Sequence, residues 1–70
     1  MYKKPSKDQY HVFSSNIDEY FTCELAARKF ARYLYKEYGT VRIYHDTEWD
    51  SENGIFLDGD CIYSKGEYPA

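Results

Sequence analysis

The chain has 70 residues, a formal charge of −3 and 20% aromatic residues, nine of them tyrosines. That is one small domain: it excludes a multidomain enzyme, and so many rings exclude a collagen-like or wholly disordered chain. No apolar run approaches the roughly 20 residues of a membrane helix, and the basic start Met1–Lys7 is followed by no apolar stretch that would mark a secretory signal.

A domain near 60 residues buries only about 60% of its unfolded surface, so the core is thin and a partner would add stability. Cys23 and Cys61 are too few for a disulfide scaffold, and the reading is a cytoplasmic protein with two reduced, buried thiols.

In chain order, residues 1–8 are polar and read as a flexible arm. Gln9–Ser14 has strand composition, and Ser15–Glu19 reads as turn chemistry. Thr22 is the expected helix N-cap, with Glu24 placed to suit the helix dipole. The alternative start is Asn16, with Glu19 closing a capping box, but Asp18–Phe21 breaks the apolar period. Cys23, Ala26, Ala27, Phe30, Ala31, Leu34 and Tyr38 recur at spacings of three and four and define one helical face. Gly39 ends the helix as a left-handed C-cap.

The second half alternates: Val41, Ile43, His45, Thr47 and Trp49 against Arg42, Tyr44, Asp46, Glu48 and Asp50. Two turns compete for the return strand. Glu52-Asn53-Gly54 makes a long hairpin with Gly54 left-handed, whereas Asp58-Gly59 makes a two-residue turn between strands of three or four residues. Register favours the first, because it sets Trp49 against Leu57, His45 against Cys61 and Ile43 against Tyr63 on one apolar side. The architecture is α+β, in the order β-α-β-β: one helix packed on a small, mostly antiparallel sheet. Adjacent first and second strands would run parallel through a right-handed crossover. The domain spans 9–64, and 65–70 form a tail.

Charge is divided along the chain. Residues 45–70 carry seven acids and one base, and residues 1–44 carry eight bases and five acids, so the halves differ in sign. The long hairpin sets Glu48 against Asp58 and Asp46 against Asp60, with Asp50 beside them. Like charges directly opposite destabilise a sheet, so neutralising Asp46 or Asp58 is expected to raise stability slightly. Solvation and edge protection are the commonest reasons for such a face. The functional reading is a surface that meets a basic partner, flanked by Tyr44 and Phe56 as interface aromatics. In size, charge and simple fold the chain resembles phage-encoded inhibitors of restriction and CRISPR systems. That resemblance, which is not one of motif, implies an acidic mimic of nucleic acid docking into a nucleic-acid-binding complex.

Other chemistries are weaker. The run Asp46 to Glu52 does not match an EF-hand loop, and a strand face spreads its carboxylates, so no metal is assigned. His11, Cys23, His45 and Cys61 lack the paired short spacing of a zinc site. Cys61 opposite His45 would be a nucleophile and base without a third group to orient them, so no catalytic residue and no cofactor are assigned. Arg28, Lys29, Arg32 and Lys36 form a basic helix side. It is the surface for an alternative nucleic-acid-binding role, against which the net charge speaks, or for pairing with the acidic face of another copy in a homo-oligomer. Tyr10, Tyr38 and Tyr63 are expected to close the core. Tyr33, Tyr35 and Tyr44 then remain as contact area for a protein partner.

Overall fold

In the computed structural model of the chain, residues 1–66 are described. Strands β1 (Gln9–Ser14) and β2 (Ile17–Phe21) form a hairpin, helix α1 (Glu24–Tyr38) follows, and β3 (Thr40–Asp46) returns to the sheet. A two-stranded hairpin, β4 (Trp49–Asp50) and β5 (Ile55–Phe56), precedes β6 (Asp60–Gly66). The main sheet has the order β2-β1-β3-β6, each neighbouring pair antiparallel. The fold is α+β. Its β1, α1, β3 and β6 keep the expected order, β2 is added before the helix, and the small hairpin is inserted before β6.

The added strand changes one expectation. Ile17–Phe21 is a strand, not a turn, and the turn is Ser15-Asn16 alone, with Ser15 at φ 55°. Ile17, Glu19 and Phe21 alternate with Asp18 and Tyr20, but the acids hide the pattern because this edge strand has one face in solvent. With β2 reversing the chain before α1, β3 runs antiparallel to β1, so no parallel crossover exists between them.

The helix begins one residue later than expected, with Cys23 rather than Thr22 as its N-cap. The Ala27 N–H donates to the Cys23 carbonyl at 3.1 Å. Gly39 ends it as expected, at φ 76°, its N–H donating to the Tyr35 carbonyl at 2.8 Å. Only glycine adopts that left-handed conformation without strain. The helix buries Ala27, Ala31 and Leu34 against Val12, Val41 and Ile43. Burying one Val, Leu or Ile side chain fully stabilises by about 1.5–3 kcal/mol, so this short list carries the fold. Tyr10, Phe21, Phe30, Ile62 and Tyr63 pack around it. Tyr38, expected in the core, is exposed because it ends the helix beyond the sheet-facing turn.

The register holds at Ile43, which pairs with Tyr63 as expected, and then slips. Ile62 is an extra residue, a bulge, so Tyr44 pairs with Cys61 and His45 with Asp60. The bulge lets Ile62 and Tyr63 both pack on the core and turns Cys61 away from it. Cys61 is therefore exposed, as is Cys23 at the helix start; neither is the buried thiol expected. Beyond the bulge, Trp49 pairs with Phe56 and Asp50 with Ile55, which makes the loop four residues, 51–54. Gly54 is left-handed, as expected, at φ 69°. Asp58-Gly59 is not a hairpin turn; it lies between β5 and β6. β6 continues to Gly66, past the expected end at residue 64, and 67–70 lie outside the described residues. The arm is not free either, since Tyr2 bonds to the small hairpin and Asp8 to His45.

Candidate functional site

The slip redistributes the five acids. Asp46 is only 2% exposed and belongs to the interior, not to the partner-facing surface. Its Oδ1 accepts the Gly59 N–H at 2.7 Å and its Oδ2 accepts the Gln9 Nε2–H at 2.9 Å. It thus ties β3 to β1 and to the segment before β6. It faces Gln9 rather than Asp60, so no like charge opposes it.

Asp50 folds back on its own loop. Its Oδ1 accepts the Glu52 N–H at 3.0 Å and the Asn53 N–H at 3.3 Å, and its Oδ2 accepts the Asn53 amide at 2.6 Å. The Asn53 side chain first, then the two backbone donors, hold its carboxyl below the ordinary aspartate value. A carboxylate lowered in the folded state contributes stability above its unfolded pKa and loses it as pH falls through the folded one. The loop is therefore expected to keep this support throughout the neutral range and lose it only in acid. The Glu52 and Asn53 amide resonances, followed by NMR, should shift with a midpoint below 3.8; a midpoint at or above that value would contradict the capped loop.

Glu48, Asp58 and Asp60 remain exposed. Glu48 is not opposite Asp58, because its carbonyl accepts the Leu57 N–H at 2.9 Å. The three acids instead rim a depression of about 270 Å³ with His45 at its wall. His45 stacks on Tyr10, ring centroids 4.6 Å apart, and its Nε2–H donates to Asp8 at 3.1 Å. Cys61 is directed at the Tyr63 carbonyl, 3.3 Å away, and is not paired across the strands with His45. The Cys23 thiol is held below its usual value by the Ala26 and then the Leu25 N–H at the helix start.

The sheet face away from the helix adds residues that sequence reasoning missed. Cross-strand partners share a face, and the row Tyr20, His11, Tyr44 runs across β2, β1 and β3. The His11 ring stacks on Tyr20 at 4.6 Å and tilts against Tyr44 at 6.1 Å. Its Nε2–H donates to Asp18 at 2.6 Å. Phe13 and Arg42 form the neighbouring pair, and Arg42 Nη1 reaches the Tyr44 hydroxyl at 3.4 Å. His11, Phe13 and Tyr44 line a second depression, closed by Asp18 and Asp58. A third lies between Tyr20 and the small hairpin, where Trp49 meets Phe56 edge to face at 5.1 Å, and Asp58 borders it as well. The expected aromatics Tyr44 and Phe56 thus belong to two separate depressions that share one aspartate. Alternation around Ile17–Phe21 was the available signal for Tyr20; His11 becomes legible only with that strand in place.

The basic residues lie on α1, in the other layer. Lys29, Arg32 and Lys36 are exposed. Arg28 Nε donates to Glu24 at 2.8 Å and its guanidinium lies 5.5 Å from the centre of the Tyr63 ring.

No family model matches the chain, and neither a curated protein nor a solved structure matches it. Among the described residues no helix is long and apolar enough to cross a membrane, and no group of three or more His, Cys, Asp or Glu is placed to hold a metal ion.

Proposed function

We propose that this chain is a non-enzymatic binding module that grips a basic segment of another protein between its acidic hairpin edge and the aromatic face of its sheet. The observation that carries the reading is the position of Asp58. It borders the acidic depression with Glu48 and Asp60, the sheet depression with Phe13 and Tyr44, and the hairpin depression with Trp49 and Phe56. A lysine or arginine needs a counter-charge for its head and a ring for its stem, and this surface offers both. Cation–ring contacts are worth about 0.5–1 kcal/mol when exposed and roughly 2 when desolvated. The exposed carboxylates would also steer a basic partner toward this side.

An inhibitor of a nucleic-acid-binding complex, of the phage-encoded kind, is the narrower version of this reading. With Asp46 interior and Asp50 bound to its loop, three carboxylates remain for it, which favours contact with a basic segment over imitation of a long phosphate array.

The test is titration of a lysine-rich peptide, read by the single tryptophan, Trp49. The variant Glu48→Gln, Asp58→Asn, Asp60→Asn, all exposed positions, should fold normally and bind at least ~10-fold more weakly, as loss of charge-assisted contacts implies. Equal affinity in the folded variant would refute the reading. Salt-sensitive binding of duplex DNA, lost on Arg28→Ala with Arg32→Ala, would transfer the function to the helix. A melting temperature that rises with protein concentration would favour the homo-oligomer.

A further inference from the structure

The arm that precedes the sheet already lies against the hairpin end of this surface. The Tyr2 N–H donates to the Ser51 carbonyl at 2.8 Å, and the Trp49 indole N–H donates to the Tyr2 carbonyl at 2.9 Å. Both backbone groups of Tyr2 are therefore engaged by the hairpin. Its ring sits over Gly54, so close that a Cβ on residue 54 would stand 2.7 Å from it. Pro5 forms part of the wall shared by Tyr20, Trp49, Phe56 and Asp58.

We infer that this end of the surface takes an extended, lysine-bearing segment anchored by an aromatic ring, and that residues 2–5 hold that place until a partner displaces them. The inference rests on the binding surface proposed above and names the kind of segment it accepts. Three features carry it. The contacts to Tyr2 read backbone, so any extended segment presenting a free N–H and C=O in the same register reproduces them. The arm is of the charge expected for a partner, with Lys3, Lys4 and Lys7 among its first seven residues, against a chain half that is strongly acidic. The hold is also slight. Tyr2 remains 63% exposed, and the rest of the arm to Lys7 is exposed too, so little apolar area opposes release. What keeps the arm in place is its tether. A short flexible linker sets a local concentration of the order of millimolar, which a free segment must outcompete. Weakening the arm should therefore tighten the binding of a segment like it.

The experiment uses the full chain and a synthetic peptide copying residues 1–8. Binding is read by Trp49 fluorescence, and hydrogen exchange of the residue-2 amide reports the arm. Tyr2→Ala removes an exposed ring and leaves the core untouched. It should bind the peptide at least ~2-fold more tightly than the wild type, as weakening of a tethered competitor at millimolar local concentration predicts. In the wild type, saturating peptide should abolish protection of the Tyr2 amide. Equal affinity in the two chains, absence of binding to either at millimolar peptide, or binding that leaves the Tyr2 amide protected would each overturn the inference. The two readings fail separately. Peptide that displaces the arm with undiminished affinity in the Glu48→Gln, Asp58→Asn, Asp60→Asn variant would refute the acidic surface and leave the arm's occupancy standing.

Discussion

Asp46→Ala is expected to lower the unfolding free energy by about 2–4 kcal/mol, since each buried donor left unpaired costs roughly 1–3 kcal/mol. A chain of this size has a total stability of only about 4–10 kcal/mol, so the variant should be visibly fragile. The two donors are the Gln9 side-chain amide and the Gly59 N–H, which converge on separate oxygens of one carboxylate at 2.9 and 2.7 Å. No water replaces the carboxylate freely there, because the residue is 2% exposed. Asp46→Asn should be much milder. Its oxygen keeps the Gly59 N–H, its new NH₂ faces Gln9, and the Gln9 amide turns over to present its oxygen instead. Only the charge-assisted part of the two bonds is lost. Urea denaturation of the two variants checks the argument. A stability gain for either would mean that Asp46 opposes another acid, as the simple hairpin register implies. An equal, large loss for both would mean that the negative charge itself is needed.

That reversal shows which parts of the fold were legible in the sequence. The helix was, because Ala27, Ala31 and Leu34 recur at helical spacing and Gly39 has one geometric use. The Ile43–Tyr63 pairing was legible from alternation around a left-handed Gly54. The rest depended on one extra residue and one disguised strand. The bulge at Ile62 shifts the register by one, and a shift by one exchanges the faces of every residue beyond it. Cys61, on β6 beyond the bulge, therefore turns outward, whereas Asp46 keeps its register opposite Gln9 and is buried because Gln9 and Gly59 close over its carboxylate. Nothing in Asp-Cys-Ile-Tyr marks a bulge locally. It forms because both Ile62 and Tyr63 gain by packing on the core. The strand Ile17–Phe21 was disguised by Asp18 and Glu19, which are poor strand formers but stand on an edge exposed to solvent. Missing it hid the partner of His11, and with it the aromatic row across the open face. The acids that survive as surface groups, Glu48, Asp58 and Asp60, were all named from the sequence. Their mutual arrangement around Asp58 was not, because it follows from the bend between β5 and β6 rather than from a regular ladder.

Gly59→Ala should be severely damaging, lowering stability by about 3 kcal/mol or more through overpacking and a lost buried bond together. A Cβ at this position would overlap the His45 carbonyl oxygen and stand 2.9 Å from the Asp46 Cα. Both are backbone atoms of β3, so no side-chain rotation relieves the clash, and either β3 or the segment from Asp58 to Asp60 must move. If the segment moves, the Gly59 N–H leaves Asp46, and Asp58 and Asp60 leave the positions in which they rim the acidic depression. Stability and binding should therefore fall together in Gly59→Ala, whereas Asp58→Asn should reduce binding and leave stability nearly unchanged. The two sites share a hydrogen bond, so their effects should not add. Gly59→Ala introduced into Asp46→Ala should cost less than in the wild type, by about the worth of that bond, roughly 1–3 kcal/mol. Denaturation of the two single variants and the double variant measures this coupling directly. Full additivity would mean that the close approach of Gly59 to β3 exists without the Asp46 clamp. The surface around Asp58 would then be positioned by packing alone.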